Sequence, residues 1–410
     1  MLSIANVKAG RQAEHYYSAK DDYYTAKGNK APSRWQGQLA LELKLEGEVK
    51  REDFQAMLAG ILPDGTRIHH GGAGRRGGTD LTFSAPKSVS IQALALGDQR
   101  LIEAHQRAVA AALKHAETLA ATRDGETTGR LLIASWTHAT SRELDPQLHT
   151  HNVVINLTKK ANGDWRAINN RALYHNKMLL STIYRAELAR EVRALGYQIR
   201  RTGGKHGEFE LGHITRAQIE AFSTRSKQIE ASLEERGLDR QSATNKQLDR
   251  ETLATRKPKR EVDRALLAER WREQAAELGI ERDAPPITKA RTIAQAHLID
   301  SPVQAVEYAI QHLVERSAVV RTDDVAKTAM SAGLGFVSFP GIQRDLARRE
   351  REGEILQRRG DLTTREMLRA ERRILRIAKA GRERTAPIAT QRTVAAHLER
   401  THLNEGQRRA

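Results

Sequence analysis

Runs of apolar and β-branched residues bounded by turn residues predict a small number of strands in this chain. Residues 131–136, Leu-Leu-Ile-Ala-Ser-Trp, and residues 152–157, Asn-Val-Val-Ile-Asn-Leu, both have the composition of strands. Asp145 and Pro146 lie between the two runs and favour a turn. We therefore expect two neighbouring antiparallel strands joined through this region.

Elsewhere the spacing of apolar residues is mostly helical. A short strand begins at Asp80 and ends at Ala85-Pro86, and residues 197–211 predict a hairpin around a glycine-rich turn. Pro285-Pro286 marks a domain boundary. Helices are predicted over residues 4–25, 35–62, 98–122, 176–195, 215–279, 301–316, 323–332, 342–352 and 363–380. The helical stretch 215–279 has a polar interruption at 236–259.

Three histidines lie close to the two predicted strands. His149 and His151 are two residues apart, so in a strand their imidazoles project from the same face. His138 follows the first run, and an antiparallel neighbour would bring its ring to the same place. Three neutral imidazoles can hold a divalent cation and leave positions open for substrate oxygens. The competing interpretation is a pair of half-exposed strand histidines that bind nothing.

Half of the eight tyrosines fall near the start of the chain. They form two pairs, Tyr16-Tyr17 and Tyr23-Tyr24, which are seven residues or about two helical turns apart. Adjacent tyrosines cannot both face a core, so at least one hydroxyl of each pair should be accessible to act as a nucleophile. The alternative is ordinary aromatic packing.

A phenol is a weak nucleophile, with an unperturbed pKa of about 10, and it needs a neighbouring base or cation. Asp80 is the candidate, either as that base or as the carboxylate that orients a liganding imidazole; a strand-end cap is the alternative. Attack on a DNA phosphodiester would give a phosphotyrosine and a free hydroxyl. The phosphoester energy is kept, so the strand can be rejoined without ATP, and a second tyrosine pair permits a second transfer.

The charge of the chain favours a polyanionic partner, with nucleic acid as the first candidate. Its 68 Lys and Arg against 51 Asp and Glu give a net charge of +17. Lys87, at a predicted helix start, offers a point charge for a phosphate, and Arg256 and Lys257 begin a basic cluster that could order over a bound strand. The alternative for each is a solvated surface cation.

Composition also excludes several classes of protein. Without cysteine the chain has neither disulfides nor thiolate metal sites. No apolar run approaches the roughly 20 residues that a spanning helix requires, and the first residues have no secretion signal. A phosphate-binding P-loop is absent from the sequence, so we expect no ATP hydrolysis by these 410 residues.

Taken together, these motifs closely resemble the conjugative relaxases of the TraI/TrwC type. The resemblance rests on the two tyrosine pairs, on the run Asp80-Leu-Thr-Phe-Ser-Ala-Pro-Lys-Ser-Val-Ser, and on Pro146-Gln-Leu-His-Thr-His. It covers about residues 1–280. It implies an α+β fold with a five-stranded antiparallel palm, a ferredoxin-like core flanked by helices, and a C-terminal, mostly helical module. The expected domains are a relaxase domain (1–280), a linker (281–300), a helical or winged-helix-like module (301–360) and the lead-in to a helicase domain expected to follow (361–410).

The resemblance also implies roles for the candidate residues. Tyr16 is similar in position to the first nucleophile of the family and Tyr23 to the second, with Tyr17 and Tyr24 as the alternates. Asp80 is similar in position to the activating carboxylate. His138, His149 and His151 correspond to the ligands of a metal that is Mg²⁺ or Mn²⁺ in this family, although imidazoles alone suit several transition metals.

The implied activity is site- and strand-specific nicking of a plasmid transfer origin through a covalent 5′-phosphotyrosine, followed by rejoining. The implied partners are single-stranded origin DNA, accessory DNA-binding proteins and the type IV secretion coupling protein, with no membrane insertion. The protein would be cytoplasmic, bacterial and plasmid-encoded, and would pass to the recipient with the DNA. A rolling-circle replication initiator, or a non-catalytic DNA-binding protein, is the alternative.

Overall fold

The computed structural model describes most of the chain. The described residues are 1–8, 32–68, 75–203, 207–239, 242–255, 263–281, 299–382, 384, 389–399, 401 and 406. The chain forms two compact units, one of Met1–Leu313 with Asp323–Ala347 and one of Val314–Thr322 with Arg348–Ala410. All described candidate site residues belong to the first unit.

A five-stranded sheet forms the centre of the first unit. Its strands are β1 Leu2–Lys8, β2 Ser33–Gln36, β3 Arg76–Ser84, β4 Ile133–Thr140 and β5 Pro146–Ile155. They lie in the order β1-β3-β5-β4-β2, and every neighbouring pair is antiparallel. This confirms the expected α+β class with a five-stranded antiparallel sheet, and it places the strand of Asp80 beside β5, the strand of His149 and His151.

Along the described chain, helices lie between these strands and after them. A short π-helix, Ile91–Ala95, follows β3 and the short helix Lys87–Ser90. Helices α1 to α11 have the bounds Gln38–Glu42, Arg51–Ala59, Lys87–Ser90, Gln99–Thr118, Arg171–His175, Lys177–Ala194, Arg216–Ala221, Thr224–Glu234, Asn245–Ala254, Arg264–Glu277 and Pro302–Val314. Two small hairpins complete this part, β6 Thr158–Lys159 with β7 Trp165–Arg166, and β8 Ile199–Arg201 with β9 Phe209–Leu211.

Two long helices, α4 and α6, cover one face of the sheet. On this face the ring of Phe83 in β3 lies 5.2 Å from that of Tyr184 in α6. Helix α4 begins where the sequence predicts, because the Asp98 carboxylate accepts the free amide of Arg100 as an N-cap. Its alanine-rich side is buried against the sheet and α6.

The opposite face of the sheet changes character along its length. At one end an apolar cluster under α1 and α2 includes Trp136 and Val153, and Phe54 packs edge-on against Trp136 at 4.8 Å between ring centroids. Beyond these residues on the same face come the three histidines: His138 is two positions from Trp136 in β4, and His151 and His149 are two and four positions from Val153 in β5. The apolar half therefore anchors the strands whose other half carries the candidate chemistry.

The predicted helix over residues 4–25 is wrong for its described part. Residues 4–8 belong to β1, which pairs with β3 along its length, for example Ile4 with Leu81. Residues 9–25 lie outside the described residues. Helix-compatible spacing is a weak local preference, and the hydrogen bonds offered by an adjacent strand outweigh it here. The predicted helix over 35–62 is similarly divided into the end of β2 and two short helices.

The C-terminal elements follow the order helix, strand, helix, helix, strand, strand, helix, helix. After α11 they are β10 Val320–Arg321, α12 Thr322–Ala332, α13 Phe339–Arg351, β11 Ile355–Arg358, β12 Asp361–Thr364, α14 Arg365–Gly381 and α15 Gln391–Leu398. The domain limits proposed from the sequence stay a prediction. Among the helices described, none has the length and apolarity needed to cross a bilayer.

Candidate active site

Strands β4 and β5 bring three imidazoles together on one face of the sheet. His138 pairs directly with His149, and His151 lies two residues further along the same strand. The ring centroids are 5.4 Å apart for His138 and His149, and 5.3 Å apart for each of the other two pairs. The structure therefore groups the three histidines that the sequence singles out, while their role as metal ligands stays a prediction.

Asp80 reaches this group from the neighbouring strand β3. Its Oδ2 atom lies 2.7 Å from Nδ1 of His151, and the Thr82 hydroxyl lies 2.9 Å from the same nitrogen. The Asp80 side chain is almost completely buried, at 5% exposure. A carboxylate can only accept a hydrogen bond, so it fixes the Nδ1–H tautomer of His151 and leaves Nε2 as the acceptor.

His149 is oriented by its own strand. Its Nδ1 atom lies 2.8 Å from the carbonyl oxygen of Gln147, which again selects the Nδ1–H tautomer. Desolvation, followed by repulsion from His151, lowers the pKa of His149 to about 4. The imidazole of His149 is therefore neutral at physiological pH.

The chemistry of this donor set fits a divalent cation. Metal ligation requires an imidazole nitrogen that offers its lone pair, and in the Nδ1–H tautomer of His149 and of His151 that nitrogen is Nε2. Within the described ranges, however, no group of three or more His, Cys, Asp or Glu side chains is already arranged as a metal site.

A line of polar groups behind the histidines is missed by the sequence analysis. Thr150, between the two histidines of β5, faces the other side of the sheet, and its hydroxyl lies 2.8 Å from Nε2 of His105 and 3.0 Å from the Thr137 hydroxyl. Nδ1 of His105 lies 2.8 Å from the Tyr184 hydroxyl. The only sequence signal is one histidine on the apolar side of an alanine-rich helix, which carries no information about its partners.

The four candidate tyrosines, Tyr16, Tyr17, Tyr23 and Tyr24, lie outside the described residues. The described chain resumes at Pro32, whose carbonyl oxygen accepts the amide of Thr137 at 3.0 Å. Thr137 is the neighbour of His138 in β4. The residue at which the described chain resumes therefore lies beside the histidine strands.

Lys87 lies at the start of α3, but its ammonium group already has a protein partner. The Nζ atom donates to the carbonyl oxygen of Pro146, the first residue of β5, at 3.1 Å. Desolvation lowers the pKa of Lys87, partly offset by the nearby Asp145 and Glu210 carboxylates. Its role as a DNA contact stays a prediction, and Arg256 and Lys257 lie outside the described residues.

Comparison with known proteins identifies close relatives of this chain. A family model described as TrwC relaxase matches residues 10–278. The multifunctional conjugation protein TraI of Escherichia coli (strain K12) is 38% identical over 356 residues, which are 80% of this chain and 20% of TraI. This chain thus spans only a small part of the length of the curated relatives that it matches.

Solved structures of the relaxase TrwC are also similar. A copper-bound TrwC in complex with oriT DNA is 44% identical, with a TM-score of 0.62, and the match covers 69% of this chain and 100% of that one. TrwC complexed with a 27-mer DNA comprising the recognition hairpin and the cleavage site is 43% identical, with the same coverage and TM-score.

Proposed function

The chain belongs to the TrwC relaxase family, and we propose that it nicks one strand of a plasmid transfer origin and later rejoins it. The observation that carries this proposal is the grouping of His138, His149 and His151 on one sheet face, with Asp80 bound to His151. Relatives support it, because TrwC was solved with oriT DNA and TraI is named a conjugation protein.

The proposed reaction is a transesterification at phosphorus. The hydroxyl of Tyr16 attacks the scissile phosphodiester, the bond from phosphorus to the 3′ oxygen breaks, and that oxygen leaves as a hydroxyl with the proton that the phenol gives up. The product is a 5′-phosphotyrosine, and the reverse reaction rejoins the strand. Tyr23 is the proposed second nucleophile, with Tyr17 and Tyr24 as the alternates.

Asp80 acts as the orienting carboxylate in this proposal. The sequence leaves open whether it takes the phenol proton or holds an imidazole. Its Oδ2 atom is engaged by His151 at 2.7 Å and by the Thr82 hydroxyl at 3.2 Å, which supports the second role.

We infer that His138, His149 and His151 hold a divalent cation, Mg²⁺ or Mn²⁺. When bound, such a cation would polarise the scissile phosphate and stabilise the negative charge that develops on it. Neutral imidazoles also suit softer transition metals, and one TrwC structure contains copper. Removal of metal with a chelator should stop nicking, and restoration with single metals would rank the candidates.

DNA contacts beyond the scissile phosphate are assigned to Lys87 and to the basic cluster at Arg256 and Lys257. Origin DNA is the proposed partner, followed by accessory DNA-binding proteins and the type IV secretion coupling protein. The cytoplasm of a plasmid-bearing bacterium is the proposed location, with passage to the recipient attached to the DNA. Family membership supports these assignments.

The decisive experiment is a nicking assay on end-labelled, single-stranded origin DNA. The wild-type protein should give a cleaved strand and a covalent protein–DNA band on a denaturing gel, and Tyr16→Phe should abolish both. Tyr308→Phe, which removes an exposed phenol of α11, is the matched control and should nick normally.

Other outcomes point to other functions. Full nicking by Tyr16→Phe, without an adduct on another tyrosine, would refute the nucleophile assignment. A plasmid that loses replication rather than transfer without this gene would be evidence for a rolling-circle initiator. If the wild-type protein binds origin DNA but never forms a covalent band, the protein is a DNA-binding protein without this chemistry.

A further inference from the structure

The turn between the two histidine strands has an unusual backbone conformation. It runs from Ser141 to Asp145 and joins β4 to β5. Leu144 has a φ of +64°, in the left-handed region, where the side chain of an L-residue crowds its own carbonyl oxygen. A leucine persists there only if its surroundings hold it in place.

Side chains from three separate elements hold consecutive residues of this turn. The indole Nε1–H of Trp271 in α10 donates to the carbonyl oxygen of Leu144 at 2.8 Å. The hydroxyl of Thr224, the first residue of α8, donates to the carboxylate of Asp145 at 3.0 Å. Lys87 of α3 donates to the carbonyl oxygen of the residue that follows. The strained residue is thus the one held by Trp271.

Trp271 is well placed to act as a fixed support. Its side chain is buried, at 6% exposure, and α10 packs against the π-helix Ile91–Ala95. The start of α10 is itself capped, since the Asp263 carboxylate accepts the amides of Ala265 and Leu266. The indole therefore cannot follow the turn without moving a packed helix.

The turn lies directly beside the histidines through a β-bulge. Past the pair His138 and His149, the next pair towards the turn is Thr140 with Pro146, so β5 has one residue more than β4 between the two pairs. A bulge bends its strand and redirects the side chains next to it. Only Ala139 in β4, and Gln147 and Leu148 in β5, separate the pair of His138 and His149 from the pair at the base of the turn.

We propose that Trp271 is a positioning residue for the histidine site. By holding Leu144 in the left-handed conformation, its indole N–H fixes the bulge and hence the arrangement of His138 and His149. This inference rests on the proposed function, because it takes the histidines to be metal ligands. The simpler interpretation is that Trp271 only packs in the core, and the two interpretations differ in how they depend on residue 144.

A double-mutant cycle with a metal readout tests the proposal. Purified DNA-free protein is titrated with Cu²⁺ alone, and the affinity and the nitrogen hyperfine pattern of the electron paramagnetic resonance spectrum are recorded. Trp271→Phe keeps an aromatic ring but removes the donor. Leu144→Gly removes the strain, because glycine adopts positive φ readily. Trp165→Phe, in the β6–β7 hairpin, is the matched control.

In the protein with the native Leu144, Trp271→Phe should weaken Cu²⁺ binding roughly three- to tenfold, the effect of one lost hydrogen bond. In the Leu144→Gly background the same substitution should cost less than about twofold, since the turn no longer needs its support. The hyperfine pattern should change in the single variant and return in the double variant. Trp165→Phe should match the wild type.

Two results would overturn the positioning role alone. One is an unchanged Cu²⁺ affinity and spectrum in Trp271→Phe. The other is an equal loss of Cu²⁺ affinity with the native Leu144 and in the Leu144→Gly background, which would indicate that Trp271 only packs in the core. Should Trp271→Phe fail to fold, Thr224→Val tests the same turn from α8, and unchanged binding there would also overturn it. If wild type and His149→Ala bind Cu²⁺ alike, the metal site itself fails, and both proposals fall with it.

Discussion

At the scale of single residues, the chemistry of this site depends on which nitrogen of each histidine carries the proton. For His151 the carboxylate of Asp80 decides, and for His149 the carbonyl of Gln147 decides. In both cases Nε2 is left as the acceptor. The carboxylate differs from the carbonyl in one respect, since it comes from the neighbouring strand β3 rather than from the strand of its own histidine.

Replacing Asp80 should therefore weaken metal binding without removing a ligand. In Asp80→Asn the amide can donate to Nδ1 of His151 and select the other tautomer, so we expect affinity for Mn²⁺ to fall by about 10- to 100-fold. Isothermal titration of the DNA-free protein would measure this. Asp164→Asn, in the exposed turn of the β6–β7 hairpin, should leave the affinity unchanged. Equal affinities in the two variants would contradict the orienting role of Asp80.

At the scale of elements, helix α4 and strand β5 are joined by a buried histidine rather than by apolar packing alone. His105 of α4 bridges the Thr150 hydroxyl of β5 and the Tyr184 hydroxyl of α6. It is fully buried, and desolvation lowers its pKa to about 3. A neutral imidazole thus joins the histidine strand β5 to α4 and α6, the two helices that cover the other face of the sheet.

This bridge should make the fold sensitive to acid. An unfolded histidine has a pKa of about 6.5, so between that pH and the folded value the unfolded state binds the extra proton. The free energy of unfolding should therefore fall as pH is lowered, by about 3 kcal/mol from His105 alone at pH 4, and should be unaffected by this group at higher pH. Urea unfolding at a series of pH values would measure it.

The variant that checks this assignment is His105→Asn. It should be less stable at neutral pH but should lose less stability on acidification than the wild type. His312→Asn, which changes an exposed histidine of α11, should keep the wild-type slope. If His105→Asn also keeps that slope, another group causes the acid sensitivity.

At the scale of the whole molecule, the first unit extends beyond the matched relaxase region. Residues 323–347 belong to it, and Arg193 of α6 is one of the residues that contact them. The guanidinium of Arg193 lies 3.4 Å from the centre of the Phe336 ring and donates to the carbonyl oxygen of Gly335 at 3.3 Å. His115 of α4 packs against Phe339 nearby, at 4.8 Å between ring centroids.

Removal of this guanidinium should loosen residues 323–347 and leave the sheet intact. For Arg193→Ala we expect the local opening free energy of that segment to fall by about 1–2 kcal/mol, from a lost cation–π contact and a lost hydrogen bond. Amide hydrogen exchange with peptide resolution would show it. Arg190→Ala, an exposed arginine one turn earlier in α6, is the control. Equal exchange in the two variants would mean that Arg193 does not hold this segment.

Much of the site follows from local sequence rules. His149 and His151 share a face because side chains alternate in a strand, and the turn residues before them predict the antiparallel neighbour that contributes His138. The start of α4 at Asp98 and the hairpin of residues 197–211 likewise depend on nearby residues. Family resemblance supplied the five-stranded palm, which these local rules do not reach.

The remaining features depend on contacts between residues distant in sequence. Residues 4–8 are helix-compatible but form a strand, because β3 offers them a partner. Asp80 meets His151, His105 meets Thr150 and Trp271 meets Leu144 only after the sheet and its helices are assembled. The sequence by itself determined which side chains are candidates for the chemistry, since spacing and residue type are local. Only the tertiary structure decided which groups orient them, because those groups come from other elements.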